Sequence, residues 1–276
     1  MNRIFPLLIS GFILASCNGD KESGTNAEPP VGTQAPAAAA KIAYTVAAKH
    51  PHDTKLFTEG FVFNDGQLYE STGSPEDRPE TRSVIGVQDL KTGKLATKAE
   101  IDSRKYFGEG IVFLNGRLYQ LTYKNQMGFI YDAKTFKQTG TFSYTNAEGW
   151  SLTTDGSNLI MSDGTSRLTY INPADMKPVK TLDVTQDGAP LDQLNELEYI
   201  NGFIYANVWL TDKIVKIDPA SGKVAGYLDL SSLSYEARNG NPQGDVLNGI
   251  AYNPAADKIY VTGKLWPTIY EISFTH

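Results

Sequence analysis

Apolar and polar positions alternate along this chain in short runs, and the runs recur in sets. The repeat shows first in its turns. Asp65-Gly66, Asn115-Gly116, Asp155-Gly156 and Asn201-Gly202 suit tight hairpins, and Asn253-Pro254-Ala255-Ala256-Asp257 falls at the next expected place. From Gly66 to Pro254 the four intervals average about 47 residues. An alternating run precedes each turn: Phe61-Val62-Phe63, Ile111-Val112-Phe113, Trp150-Ser151-Leu152, Leu197-Glu198-Tyr199 and Ile250-Ala251-Tyr252. A second follows it: Leu68-Tyr69, Leu118-Tyr119, Leu159-Ile160, Ile204-Tyr205 and Ile259-Tyr260.

Third runs stand at 84–87, 128–131, 168–171, 214–217 and 268–272, and fourth runs near 95–101, 138–144, 179–184 and 224–230. The fifth unit lacks a fourth run, and Ile42 to Ala48, which precedes the first unit, is free to supply it. Four-stranded units at this period, closed in this way, predict an all-β domain over residues 41–276, a five-bladed β-propeller closed by its N-terminal strand. A β-sandwich requires neither the repeated turn nor the spare strand. No segment shows helical periodicity, so no helix is expected.

Ahead of this domain, Arg3 and the apolar run from Phe5 to Ala15 predict an export signal over residues 1–16, too short for the roughly 20 residues of a membrane span. It ends in Leu14-Ala15-Ser16-Cys17, which resembles the lipobox of bacterial lipoproteins. Cys17 is therefore the expected lipidation site, residues 17–40 a Gly, Ser, Pro and Ala-rich tether, and the product a lipoprotein held on the periplasmic or cell-surface side. The competing reading is an ordinary secretory signal with a chance cysteine. Cys17 is the single cysteine, which excludes an intramolecular disulfide. The formal net charge is −6, with no basic stripe, so no nucleic-acid partner is expected and the membrane is met only through the anchor.

In a propeller the inner strand of each blade lines the central channel and its neighbour runs antiparallel, so the start of the first and the end of the second share a face. The starts carry Phe57-Thr58-Glu59-Gly60, Phe107-Gly108-Glu109-Gly110, Glu148-Gly149-Trp150, Leu194-Asn195-Glu196 and Leu247-Asn248-Gly249. The ends carry Ser71-Thr72, Thr122-Tyr123, Ser162-Asp163, Asn207-Val208-Trp209 and Gly263-Lys264-Leu265-Trp266, and all three tryptophans fall in these sets. Carboxylates, amides, one lysine and large aromatics thus converge on one end of the channel, the make-up of a small-ligand pocket. The opposite face offers only turn residues. A glutamate before a glycine at an inner-strand head also serves structure, by accepting backbone N–H bonds where strands crowd, and that reading is preferred for Glu148 and Glu196. Tyr123 and Trp266 are equally open to packing roles. The three histidines, His50, His52 and His276, offer no compact zinc set and no Ser-His-Asp triad.

The stretches FTEGFVFNDGQLYESTG (57–73), FGEGIVFLNGRLYQLTYKNQMGFIYD (107–132), EGWSLTTDGSNLIMSDG (148–164), LNELEYINGFIYANVWLTDKIVKIDP (194–219) and LNGIAYNPAADKIYVTGKLWP (247–267) resemble the glutaminyl-peptide cyclotransferases of the plant and bacterial type. The resemblance covers most of residues 41–276. It implies an aminoacyltransferase-type enzyme without metal or other cofactor, which acts on peptides and proteins with N-terminal glutamine, forms pyroglutamate and releases ammonia. A monomer is expected. By resemblance Glu109 is the proton shuttle, with Asn195 and Lys264 as its catalytic partners. Glu59, Phe57, Phe107, Trp150, Trp209 and Trp266 are the expected substrate-binding set. Glu59 departs from the family pattern, which often has glutamine there, so pH optimum and substrate preference are open at this position. Two other functions compete: a non-catalytic cell-surface propeller that binds peptide or glycan, and a metal-dependent hydrolase such as a lactonase.

Overall fold

The computed structural model describes residues 38–276. Cys17, the export signal and most of the proposed tether lie outside the described residues. From residue 57 onward the chain builds five antiparallel sheets, each entered at its innermost strand; the first four gain four strands in this way, and the fifth gains three and takes its fourth from the segment before residue 57. The inner strands are Phe57–Asn64, Gly108–Leu114, Ser151–Thr154, Leu194–Ile200 and Leu247–Asn253. The partners across the hairpins are Gln67–Gly73, Arg117–Thr122, Leu159–Ser162, Phe203–Val208 and Lys258–Gly263. Inner and second strands are buried over most of their length, whereas the outer strands Leu95–Glu100, Gln138–Ser143 and Lys177–Asp183 are largely exposed.

The turn residues act as their chemistry requires. Asp65 and Gly66, Asn115 and Gly116, and Asn201 and Gly202 all adopt positive φ, the signature of the type I′ hairpin that matches strand twist. The third blade differs. Asp155 keeps a negative φ and its Oδ1 accepts hydrogen bonds from Ser157 N (2.8 Å) and Asn158 N (2.6 Å), giving a wider turn.

The closing strand lies slightly further along the chain than its sequence pattern suggested. Thr45–Pro51, not Ile42–Ala48, pairs antiparallel with Thr268–Ser273 to complete the fifth sheet. Ala40–Lys41 instead adds parallel to Val224–Asp229 on blade 4, and Ile42 N donates to Tyr227 O at 2.7 Å. The segment thereby ties two blades together before it closes the ring.

Among the described residues one helix, Ser231–Gly240, joins blades 4 and 5, where no helical period was expected. Its buried face is narrow, Leu233, Ser234 and Ala237, and serine, asparagine and glycine elsewhere masked the period. Among the described residues no helix is long and apolar enough to cross a membrane.

The core is divided into five apolar clusters, one at each interface between neighbouring blades. The cluster between blades 5 and 1, where the ring closes, is the smallest, with five buried members: Phe61, Leu68, Ala251, Tyr260 and Ile269. A buried polar network reinforces it. His52 Nε2 meets Glu70 Oε2 at 3.0 Å, His52 Nδ1 meets Trp266 O at 2.8 Å, and Thr58 Oγ1 donates to Glu70 Oε1 at 2.7 Å. Closure therefore rests on hydrogen bonding as well as on apolar area.

Candidate active site

At one end of the inner strands the ladders slip. Register shifts fall between Thr58 and Gly60, Gly108 and Ile111, Leu194 and Leu197, and Leu247 and Ile250. The residues within the slips are Glu59, Glu109-Gly110, Asn195-Glu196 and Asn248-Gly249. A bulge leaves a residue outside the ladder and re-aims its side chain, so a repeated backbone device presents these polar groups to the channel. Two glycines allow the inner strands to abut there. A Cβ on Gly60 would lie 2.9 Å from Gly110 Cα, and one on Gly110 would collide with Ser151 Cα. Glu59 and Glu109, each preceding one of these glycines, are thus carried side by side.

Above them opens a cavity of about 500 Å³. Phe57, Glu59, Phe107, Glu109, Trp150, Asn195, Trp209 and Lys264 all line it. So do Pro75, Tyr123, Glu148, Asp163, Gly164, Thr165 and Gln193. The walls are aromatic. Trp150 and Trp209 meet edge to face with ring centres 5.6 Å apart, and Phe57 and Phe107 do so at 6.3 Å. Tyr123 extends the Phe107 wall at 5.9 Å. Trp150 is held in place by its indole N–H, which donates to Glu148 Oε2 at 2.9 Å, while Lys124 approaches the other Glu148 oxygen at 3.6 Å.

The floor is ionic and buried. Lys264 Nζ donates to Glu59 Oε1 at 2.7 Å and lies 4.7 Å from the Phe57 ring centre. Asn248 Nδ2 reaches the other Glu59 oxygen at 3.5 Å. Burial pushes the Glu109 carboxyl well above the usual carboxylate range, and the adjoining Glu59 charge adds to that while Lys264 opposes it. Glu59 is raised too, by burial first, with Lys264 working against the shift. Lys264 is bonded to Glu59 and not to Glu109, so of the two buried carboxyls Glu109 carries the stronger upward shift. Asn195 lines the same cavity, and its Oδ1 is buried without a hydrogen-bond partner among the described residues.

One expected binding residue is elsewhere. Trp266 does not line the cavity; it is fully buried in the apolar cluster between blades 4 and 5, edge to face with Tyr270 at 6.2 Å. Its Nε1 donates to Asp245 O at 2.9 Å. Asn241, just after the helix, donates from Nδ2 to Leu265 O at 2.8 Å, and Lys264 N donates to Val246 O at 3.0 Å. The unforeseen insertion between blades 4 and 5 thus clamps the Lys264-Leu265-Trp266 segment, with Trp266 as packing for the lysine's support.

Glu196 takes the structural part expected of it. Its two oxygens accept hydrogen bonds from Phe61 N (3.1 Å) and Ile250 N (2.8 Å), which bridges three inner strands below the cavity. Glu148 differs from its structural reading in that it lines the cavity and orients Trp150. Pro75 and Gln193 were not foreseen. Pro75 comes from the loop between the second and third strands of blade 1, whose ten residues were a visible signal. Gln193, at φ +67, carries no comparable mark.

Fold and site together define a propeller with an aromatic axial pocket floored by a lysine-bound carboxyl pair, a setting for proton transfer on a small ligand. A family profile described as glutamine cyclotransferase matches residues 17–274. The chain is 40% identical over 229 residues to the glutaminyl-peptide cyclotransferase of Arabidopsis thaliana, a match covering 82% of this chain and 70% of the plant protein. It is also similar to the crystal structure of Myxococcus xanthus glutaminyl cyclase, with a TM-score of 0.76 and 33% identity over 86% of this chain and 98% of the other. The chain belongs to the glutamine cyclotransferase family.

Proposed function

We propose that this chain is an aminoacyltransferase-type enzyme that converts the N-terminal glutamine of peptides and proteins to pyroglutamate with release of ammonia. The observation that carries the reading is Glu109, a buried carboxyl beside the Glu59–Lys264 ion pair in an aromatic pocket, within a chain of this family.

The reaction needs no external nucleophile. The α-nitrogen attacks the γ-carboxamide carbon, the C–N bond to the amide nitrogen breaks, and the proton lost by the attacking amine leaves on ammonia. Glu109 is the group assigned to carry that proton, first as base and then as acid, and its raised pKa brings it nearer to the pKa of an α-amine, about 8. Asn195, in the cavity wall, is assigned to bind the substrate carboxamide or the peptide carbonyl. Lys264 holds Glu59 and turns a further N–H to the oxygen that gains charge in the tetrahedral intermediate. Trp150, Trp209, Phe57 and Phe107 exclude water and keep the side chain folded toward its own amine. Among the described residues no group of three or more His, Cys, Asp or Glu side chains is arranged to hold a metal ion, and the proton transfers assigned here require none. The same reading takes residues 1–16 as a bacterial-type export signal, Cys17 as a lipid anchor and the enzyme as a monomer outside the cytoplasm.

The test is ammonia release and a 17 Da mass loss, the mass of NH₃, from a short glutamine-initiated peptide. Glu109→Gln is expected to fold and to lose about two orders of magnitude or more in turnover, the usual size of a general acid-base contribution. Undiminished turnover in that variant would remove Glu109 from the mechanism. Binding of the peptide without mass loss by the wild type would favour a non-catalytic peptide receptor.

A further inference from the structure

The pocket floor contains its own counter-ion, which bears on the choice of substrate. Lys264 is the one cation among the lining residues, and Glu59 already occupies it at 2.7 Å. The other ionisable lining groups, apart from Tyr123, are Glu109, Glu148 and Asp163. Glu148 is directed to Trp150 and faces Lys124 at 3.6 Å from outside the cavity. Asp163 is spent on the Thr165 N–H and hydroxyl and on Asn146. No positive charge is left over for an incoming anion.

We propose that Glu59 is a specificity-determining residue of this chain, which neutralises Lys264 and so sharpens the preference for a neutral γ-carboxamide over the γ-carboxylate of an N-terminal glutamate. The inference rests on the cyclotransferase reading. Glutamine and glutamate side chains have nearly the same shape, so aromatic walls alone discriminate poorly between them. Charge discriminates well in a site this buried, because like charges a few ångströms apart repel strongly where water is excluded. A γ-carboxylate placed for attack near Glu109 and Asn195 would meet the Glu59 charge, with the Lys264 ammonium already paired.

Glu59 also sets the proton affinity of Glu109. The groups facing the pair are Lys264 and Asn248 on Glu59, with Asp245 further off, and Glu148 and Tyr144 around Glu109. An amide in place of Glu59 removes the adjacent negative charge and releases Lys264 toward Glu109. The shift is therefore downward.

The experiment compares the wild type with Glu59→Gln and Glu59→Asp on paired peptides that differ only in N-terminal glutamine or glutamate. Glu59→Gln is expected to narrow the glutamine-over-glutamate ratio of kcat/KM by on the order of tenfold. It should also move the acidic limb of the glutamine pH profile to lower pH. Glu59→Asp, which keeps the charge, is expected to preserve the ratio. An active wild type with an unaltered ratio and acidic limb in Glu59→Gln overturns the proposal, as does equal loss of discrimination in both variants. A wild type that releases no ammonia from the glutamine peptide overturns the cyclotransferase reading itself. A measurement on the wild type covers the case of a variant that does not fold: a glutamate-initiated peptide should inhibit about tenfold more weakly than a methionine-initiated one of equal length. Equal inhibition counts against Glu59.

Discussion

Below the pocket, Glu198 is a buried carboxyl that the reaction does not use. Its Oε1 accepts a hydrogen bond from Tyr252 N at 2.9 Å, and no cation is hydrogen-bonded or ion-paired to it among the described residues. Burial pushes its pKa from 4.5 up to about 8, against the opposing hydrogen bonds of Tyr252 and Tyr199. The folded state therefore binds this proton more tightly than the unfolded chain, and stability is fully present below about pH 4.5 and is lost as pH rises through about 8. At about 1.4 kcal/mol per pH unit, raising the pH from 5 to 7.5 removes roughly 3 kcal/mol through this one group. Glu198→Gln keeps the shape and an acceptor for Tyr252 N but cannot ionise. Urea denaturation of both proteins across this range isolates the effect, because Glu59 and Glu109 are common to the two and cancel, while the part of the Glu196 shift that comes from the Glu198 charge belongs to the same perturbation. The variant should gain on the wild type by roughly 3 kcal/mol between the two pH values. A difference that changes by less than about 1 kcal/mol would show that water reaches Glu198 and that the burial argument fails.

Two further predictions follow from the same geometry. Glu196→Ala leaves the N–H groups of Phe61 and Ile250 without their acceptor inside the ring, so a loss of about 2–6 kcal/mol is expected by chemical denaturation, and a loss under about 1 kcal/mol would contradict the bridging role. Preincubation with EDTA should leave ammonia release from a glutamine-initiated peptide unchanged, since no metal-ligand cluster exists among the described residues; inhibition reversed by added zinc or calcium would refute the metal-free mechanism.

The fold was legible because hairpin turns leave a local mark. Paired positive φ values need Asp-Gly or Asn-Gly, and such dipeptides at a steady spacing reveal blades without any long-range information. The helix Ser231–Gly240 left almost no mark, because one short face of Leu233, Ser234 and Ala237 suffices when the rest of its stability comes from packing. The closing strand was misplaced by a few residues for a related reason. Thr, Val, Ala and Lys at 45–49 alternate weakly, and the pairing is decided by what Thr268–Ser273 leaves open.

Strand direction alone placed Glu59, Glu109, Asn195, Trp209 and Lys264 at one end of the channel, because inner-strand starts and second-strand ends must emerge together. Sequence also supplied the chemistry of that end, a set of acids, amides and aromatics with one lysine. Tertiary structure decided which of these groups meet. Only the ring brings Lys264 to Glu59 across 205 residues, and only the bulges and the close approach of Gly60 to Gly110 set Glu59 beside Glu109. It also withdrew Trp266 into the core, since the insertion that covers that indole has no signature in the repeat. A local pattern fixes the face on which a side chain emerges, whereas its charge state and partners depend on neighbours that closure of the ring delivers.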